Sequence, residues 1–196
     1  MSKIDTGIVD KAVQYAVEKH SGDTRKGTKI PYIVHPMEAA AIVAGITNDQ
    51  ELIAAAVLHD TVEDTDATRE ELEELFGKRV ADLVAAESED KRKDLPAEET
   101  WEIRKKETID GLEQEGHEAR LLALADKLSN IRAVQRDYEA LGEEFWNRFN
   151  QKDPKMHGWY YGSLAIIFLA DPALKDTQAC REYADRVRAV FGGNCF

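Results

Sequence analysis

The sequence has little of what marks secreted, membrane-spanning or nucleic-acid-binding proteins. Only two of its 196 residues are cysteine, Cys180 and Cys195, and their position near the C-terminus has no metal-site spacing. We therefore expect two free thiols, as in a protein of the reducing cytoplasm. No apolar run is long enough to span a bilayer, and the first residues lack the apolar stretch of a signal peptide. A cytoplasmic location is the expectation that follows.

The chain also has fewer basic residues than acidic ones. The 26 lysines and arginines stand against 38 acidic residues, which gives a formal net charge of −12. This balance argues against general binding to nucleic acids or to anionic membranes. An anionic small molecule remains a possible partner, but the basic residues that bind it must then be gathered locally. The composition leaves the oligomeric state open.

Strand-like alternation is scarce, and glycine and proline fall mostly between stretches of helical periodicity. Thr68 with Glu71 matches a capping box, Asn48 is a possible cap of the following helix, and Pro36 and Pro154 suit helix starts. With no repeat and no long linker, residues 1–196 are most simply one all-α domain. The predicted helices lie near residues 7–19, 36–46, 49–63, 68–75, 77–87, 98–114, 118–139, 156–169 and 173–191, and a charged loop is predicted over 88–97.

What the chain does have is an apolar segment, residues 52–65, that ends in polar side chains capable of binding a metal or transferring a proton. His59, Asp60, Glu63 and Asp64 follow the run directly. Burying such groups is unfavourable unless they are paired or bind a metal. His59 and Glu63 are four positions apart, as are Asp60 and Asp64, so each pair would lie one turn apart on a helix. The segment therefore predicts a cation site with two carboxylates just beyond it.

Further candidate ligands flank this segment, with His35 upstream and Asp126 downstream. The order His, His-Asp, Asp resembles the HD-domain superfamily of metal-dependent phosphohydrolases. More narrowly, the chain resembles the hydrolases of guanosine polyphosphates (ppGpp), as in the hydrolase half of RelA/SpoT-type proteins and their small stand-alone relatives. The resemblance implies an HD-domain helical bundle. It covers about residues 8–135 and rests on residues 25–27, 31–36, 58–65, 76–77, 90–91 and 124–132.

The resemblance implies that His35, His59, Asp60 and Asp126 hold one divalent ion, which it identifies as Mn²⁺. Two imidazoles and two carboxylates suit first-row divalent ions in general, so the residues themselves leave Fe and Zn open. Some HD enzymes hold a second metal on two extra histidines between the His-Asp pair and the last aspartate. Here that interval contains only one histidine, and we therefore expect a mononuclear site.

The other histidines have simpler interpretations. His117 falls at a helix start, where a surface role is expected. His20 ends the first predicted helix, where a cation interacts favourably with the helix dipole. His157 also has an ordinary structural interpretation, and we predict metal contact for none of the three.

The resemblance assigns the catalytic role to Glu63 and Asp64. Carboxylates at this place can orient a metal-bound water, accept its proton or protonate the leaving oxygen. The alternative is a solvated acidic helix end. The sequence does not decide which of the two carboxylates has which of these roles.

Five residues are candidates for binding the substrate: Arg25, Lys26, Lys91, Arg104 and Asn130. The resemblance places Arg25 and Lys26 against the nucleotide's base and phosphates, and Lys91 matches another basic position. Asn130 lies one turn after Asp126, where an amide suits a ribose or phosphate oxygen. For most of these residues the alternative is an ordinary surface charge, since 33% of the chain is charged.

The resemblance implies hydrolysis of the 3′-pyrophosphate of ppGpp to GDP and pyrophosphate, a reaction of the stringent response. The chain ends too soon after Asp126 to hold a synthetase domain, so we expect degradation only. Two alternatives stay open: an HD phosphohydrolase acting on another nucleotide or nucleotide cofactor, and an inactive HD module that senses a nucleotide. Residues 87–91 lack the threonine common before the Asp-Lys pair, and the tail from Tyr138 resembles a broader group of bacterial HD hydrolases.

Overall fold

The structure, a computed structural model, describes residues 6–92, 94–193 and 196. These residues form ten α-helices and one 3-10 helix, without a named strand. The predicted all-α class is confirmed. No helix in the described part of the chain is long and apolar enough to cross a membrane. Cys195 lies outside the described residues, while Cys180 is a buried free thiol.

The chain divides into two compact units, residues 1–88 and 89–196. The single domain predicted for residues 1–196 stays a prediction. Each unit supplies some of the predicted site residues.

The N-terminal unit is built around one alanine-rich helix. This helix, α3 (Gln50–Leu58), packs against α1 (Gly7–Lys19), α2 (Val34–Ala44) and α6 (Lys78–Glu87). Ala54, Ala55 and Ala56 are fully buried in it, and their small side chains let the neighbouring helices approach closely. The helices of this unit are α1 (Gly7–Lys19), α2 (Val34–Ala44), α3 (Gln50–Leu58), α4 (Thr61–Asp64), α5 (Arg69–Phe76) and α6 (Lys78–Glu87).

The start of α3 differs from the prediction by one residue. Asp49, not Asn48, is the N-cap, and its Oδ1 accepts hydrogen bonds from the backbone N–H groups of Glu51 and Leu52 at 3.0 and 3.3 Å. Arg79 donates to both oxygens of the same carboxylate, at 3.1 and 2.5 Å. The carboxylate of Asp49 places a negative charge at the N-terminus of α3, the positive end of the helix dipole, whereas the amide of Asn48 is neutral.

The predicted helix over 49–63 is interrupted at His59 and Asp60. The His59 Nδ1 hydrogen-bonds the carbonyl of Ala56 at 2.8 Å, and the Thr61 hydroxyl donates to the carbonyl of Leu58 at 2.7 Å. These side chains compete with backbone N–H groups for helix carbonyls, and such competition ends or bends helices. The turn places His59 and Asp60 between α3 and α4.

The C-terminal unit contains α7 (Ala97–Gln114), α8 (His117–Leu141), a 3-10 helix (Gly142–Arg148), α9 (Pro154–Ala170) and α10 (Gln178–Phe191). Helix α8 packs against α10 and the 3-10 helix, and α9 packs against α10 and α7. The last helix starts five residues later than predicted, because the Thr177 side chain caps it by accepting the N–H of Cys180. Pro154 is in the first turn of α9, as expected.

Candidate metal centre and catalytic site

Three candidate ligands meet in the N-terminal unit. His35 lies in the first turn of α2, and His59 and Asp60 lie in the turn after α3. The two Nε2 atoms are 3.3 Å apart, and Asp60 Oδ2 lies 3.2 Å from His59 Nε2 and 3.4 Å from His35 Nε2. Ligand bonds of about 2.0–2.2 Å around one cation bring donor atoms to separations of this order. This set of nitrogen and oxygen donors therefore fits a first-row divalent ion.

The backbone fixes which nitrogen of His59 faces this cluster. Its Nδ1 donates to the carbonyl of Ala56, since a carbonyl can only accept, and this leaves Nε2 as the nitrogen directed at the cluster. Both histidines are buried, with 3% of His35 and 1% of His59 exposed. An imidazole held in the way that His59 is held can bind a cation without rearranging.

Asp60 is held in its ionised form. Burial alone would raise the pKa of its carboxyl, but the charge of His59 and the hydrogen bonds from His35 and His59 outweigh burial and hold that pKa well below its ordinary value. An ionised carboxylate is the form that binds a metal.

Tyr32 connects the cluster of candidate ligands to Asp64 of the predicted catalytic pair. Its hydroxyl lies 2.7 Å from Asp60 Oδ2 and 2.9 Å from Asp64 Oδ2. Burial and the charges of these two carboxylates raise the pKa of Tyr32, so the phenol keeps its proton. With one proton, the hydroxyl donates to one carboxylate at a time. Sequence reasoning missed this role, because no spacing rule relates a loop residue to one 32 positions later.

Glu63 and Asp64 both lie in α4, directly after the two predicted ligands His59 and Asp60. Asp64 is exposed and Glu63 is half-buried. The backbone N–H of Asp64 donates to the carbonyl of Asp60 at 2.9 Å, which keeps these two residues one turn apart despite the break in the helix. The structure thus brings Asp64 next to the predicted ligands, within reach of solvent.

His20 packs behind Tyr32. The two ring centres are 4.8 Å apart, and neither ring nitrogen of His20 has a hydrogen-bond partner among the described residues. Burial lowers the pKa of His20, and the opposing charges of Asp60, Asp64 and Asp23 do not compensate. The expectation that His20 serves as a cation at the end of α1 is therefore wrong, because a buried imidazole is favoured in its neutral form.

Arg25 and Lys26 lie in the loop between α1 and α2. Gly27 has a φ of 72°, a conformation that glycine adopts without strain. Arg25 donates its N–H to the carbonyl of Ile30 at 2.9 Å, and its guanidinium carbon lies 5.6 Å from the ring centre of Tyr32. The loop therefore brings Arg25 beside the cluster, while Lys26 is exposed.

The remaining predicted ligand belongs to the C-terminal unit. Asp126 is buried on α8, with 3% of the residue exposed. Asn130 donates from Nδ2 to Asp126 Oδ1 at 2.6 Å, and Lys127 donates to Oδ2. Asn130, predicted to contact the substrate, here orients the carboxylate of a predicted ligand.

Arg104 and Lys91 complete the predicted substrate residues. Arg104 donates to Glu89 Oε2 at 2.8 Å and to the Thr100 hydroxyl at 3.3 Å. Lys91 is half-buried in the loop before α7. Glu89 in this loop is mostly buried, which the charged-loop prediction did not anticipate.

The two other histidines have structural contacts, in keeping with their predicted interpretations. His117 Nδ1 lies 3.4 Å from Asp171 Oδ1. His157 Nε2 hydrogen-bonds the carbonyl of Gln151 at 2.9 Å, and its ring packs against Trp146 with the ring centres 5.0 Å apart.

Known proteins resemble both the sequence and the structure. A guanosine-3′,5′-bis(diphosphate) 3′-pyrophosphohydrolase, MESH1 of Danio rerio, is 41% identical over 139 residues, which are 69% of this chain and 74% of that protein. The GTP pyrophosphokinase rsh of Brucella ovis is 35% identical over 131 residues, 67% of this chain but only 17% of the much longer relative. A solved metazoan orthologue of SpoT that hydrolyses ppGpp superposes with a TM-score of 0.74 at 26% identity, covering 96% of this chain and 97% of that one.

The family itself follows from a direct match. The model of the HD domain family matches residues 12–153, well over half of the chain. This agrees with the order of His35, the His59-Asp60 pair and Asp126, and the family predicted from these residues is confirmed. The chain belongs to the HD domain family.

Proposed function

We propose that this protein is a metal-dependent phosphohydrolase that removes the 3′-pyrophosphate of ppGpp and releases GDP and pyrophosphate. One observation carries the proposal: the cluster of His35, His59 and Asp60 is joined through the Tyr32 hydroxyl to Asp64. A relative that is 41% identical over most of both chains is named for this activity. We place the reaction in the cytoplasm.

His35, His59, Asp60 and Asp126 are the proposed ligands of one divalent cation, with Mn²⁺ as the proposed ion. The ion, when bound, lowers the pKa of a bound water and stabilises charge on a phosphoryl oxygen. Three ligands come from the N-terminal unit. Asp126 is the fourth, supported by its burial and by the amide of Asn130 that orients its carboxylate.

Glu63 and Asp64 are the proposed acid and base. Cleavage of the bond between the ribose 3′-oxygen and phosphorus requires that a water lose a proton and that the 3′-oxygen gain one. Asp64 is exposed, and the Tyr32 hydroxyl orients its carboxylate. Glu63 lies beside it in α4. The pair can therefore carry both proton transfers.

Arg25, Lys26, Lys91 and Arg104 are the proposed contacts to the base and phosphates. Arg25 supports this role best, because its guanidinium lies beside Tyr32. Asn130 acts through Asp126 in the described structure, so we propose that it positions this ligand in addition to any contact with the ribose.

The test is incubation of the purified protein with Mn²⁺ and ppGpp, followed by separation of the products by anion-exchange chromatography. A Glu63→Ala variant, assayed for activity and for bound metal, is the control. We expect GDP and pyrophosphate from the wild type, no turnover by the variant, and equal metal content in both. Activity that persists in a chelator would rule out this mechanism.

A second candidate is hydrolysis of another nucleotide or nucleotide cofactor at the same centre. It is favoured by residues 87–91, which lack the threonine common before the Asp-Lys pair of the ppGpp hydrolases. A metal-loaded protein that leaves ppGpp intact but hydrolyses another member of a nucleotide panel would establish this candidate. Failure across the whole panel would favour an inactive sensing module.

A further inference from the structure

A buried carboxylate in the C-terminal unit holds two cations. Glu89 has only 10% of its side chain exposed. Its Oε1 accepts hydrogen bonds from Lys105 Nζ at 2.6 Å and from the Thr108 hydroxyl at 3.0 Å, and its Oε2 accepts from Arg104 Nη1 at 2.8 Å. We call Glu89, Arg104, Lys105 and Thr108 the Glu89 cluster.

The Glu89 cluster carries an excess of positive charge. Burial raises the pKa of Glu89, but the charges of Lys105 and Lys127 and the hydrogen bonds to Lys105 and Thr108 outweigh it, so that its pKa lies below the ordinary value. Glu89 is thus ionised at neutral pH, and one anion faces the two cations Arg104 and Lys105. In a chain with a net charge of −12, such a local excess provides the gathered basic residues that an anionic ligand requires.

The cations of the cluster are fixed in direction but not fully enclosed. The side chains of Arg104 and Lys105 are 11% and 19% exposed. Lys105 Nζ also lies 4.7 Å above the ring centre of Tyr160, a second contact that limits its freedom. A planar guanidinium and an ammonium held in one place recognise phosphate groups better than mobile ones do, because less conformational entropy is lost on binding.

We propose that Glu89 is a positioning residue for substrate recognition, which holds Arg104 and Lys105 in the orientation that binds phosphate groups of the nucleotide. The inference rests on the proposed function for the identity of the nucleotide. It assigns Glu89 a role in substrate affinity, not in the bond-breaking step. Helix α7 supplies both cations, and the loop before it supplies the carboxylate that orients them.

The experiment uses Glu89→Gln, which keeps the size and one acceptor oxygen of the side chain but removes its charge. We expect KM for ppGpp to rise about tenfold with kcat within about twofold, a loss of about 1.4 kcal/mol in ground-state binding. Glu182→Gln is the matched control, because Glu182 also joins two arginines, Arg132 and Arg186, in the same unit. Its KM should stay at the wild-type value. Glu89→Asp, which keeps the charge, should raise KM less than Glu89→Gln does.

Binding of inorganic pyrophosphate to the metal-free proteins, measured by calorimetry, separates this inference from the proposed substrate. About tenfold weaker binding by Glu89→Gln, with no change in Glu182→Gln, supports the inference even if ppGpp is not hydrolysed. In that case the proposed substrate alone fails. Unchanged KM and unchanged pyrophosphate affinity in Glu89→Gln would overturn the inference, as would a fall in kcat at constant KM.

Discussion

The hydroxyl of Tyr32 lies between Asp60, a proposed metal ligand, and Asp64, a proposed catalytic residue. The sequence could predict that His35, His59 and Asp60 converge, because a histidine and a His-Asp pair next to apolar segments are a recognisable order. It could not predict the contacts of Tyr32 with Asp60 and Asp64, since these depend on how the loop before α2 folds over the turn after α3. The hydrogen bond of Tyr32 to Asp64 is therefore a result of the tertiary structure.

Replacing Tyr32 with Phe should lower kcat about tenfold or more while KM and metal content stay close to the wild-type values. A hydrogen bond to a charged group contributes about 1.5–3 kcal/mol, and here it orients Asp64, a proposed catalytic carboxylate. Steady-state kinetics and metal analysis would test this. Tyr15→Phe, which removes another hydroxyl from the N-terminal unit, is the control. If Tyr32→Phe loses its metal, the hydroxyl supports Asp60 as a ligand instead of orienting Asp64.

The lowered pKa of the buried His20 predicts that the stability of the protein depends on pH. Burial lowers the pKa of His20 below the ordinary histidine value of about 6.5. Just below pH 6.5, the His20 side chain of the folded protein therefore binds fewer protons than that of the unfolded chain. Stability should therefore fall as pH drops through 6.5 and level off below the folded pKa. His20→Phe removes the contribution of His20 protonation to this pH dependence. The melting temperature of the variant should therefore fall less than that of the wild type between pH 7.5 and 5.5. Equal slopes in the two thermal titrations would show that His20 keeps its ordinary pKa.

At the scale of helices, periodicity predicted most of the elements, and the errors have local causes. The break at His59 and Asp60 arises because side chains of His59 and Thr61 take helix carbonyls. The periodicity of apolar residues does not reveal this competition between side chains and backbone N–H groups for carbonyls. Asn48 and Asp49 are both good caps by residue type, and only the structure shows that Asp49 is selected, with Arg79 bound to its carboxylate.

Asp49→Ala should lower the free energy of unfolding by about 1–2 kcal/mol, whereas Asn48→Ala should change it by less than about 0.5 kcal/mol. The Asp49 carboxylate caps α3, the helix that leads to His59. Its ion pair with Arg79 is about one-third exposed and adds little. Urea denaturation of both variants would measure the difference. A larger loss in Asn48→Ala would mean that the sequence-based assignment of the cap was right.

At the scale of the molecule, the two compact units can be followed separately by spectroscopy. All three tryptophans, Trp101, Trp146 and Trp159, belong to the C-terminal unit, whereas helices in both units contribute to far-UV circular dichroism. The HD family match, over residues 12–153, includes residues of both units. Coincident melting curves from fluorescence and circular dichroism are the behaviour expected of one cooperative domain.

Addition of Mn²⁺ should raise the melting temperature reported by tryptophan fluorescence. His35, His59 and Asp60 lie in the N-terminal unit, and we propose that Asp126 of the C-terminal unit binds the same ion. An ion at 100 times its Kd stabilises the folded state by about 2.7 kcal/mol, which corresponds to about 5–10 °C for a chain of this size. Asp126→Asn, the control, should reduce the shift strongly. If the wild-type fluorescence transition stays in place while the dichroism transition moves, the ion binds the N-terminal unit alone and Asp126 is not a ligand.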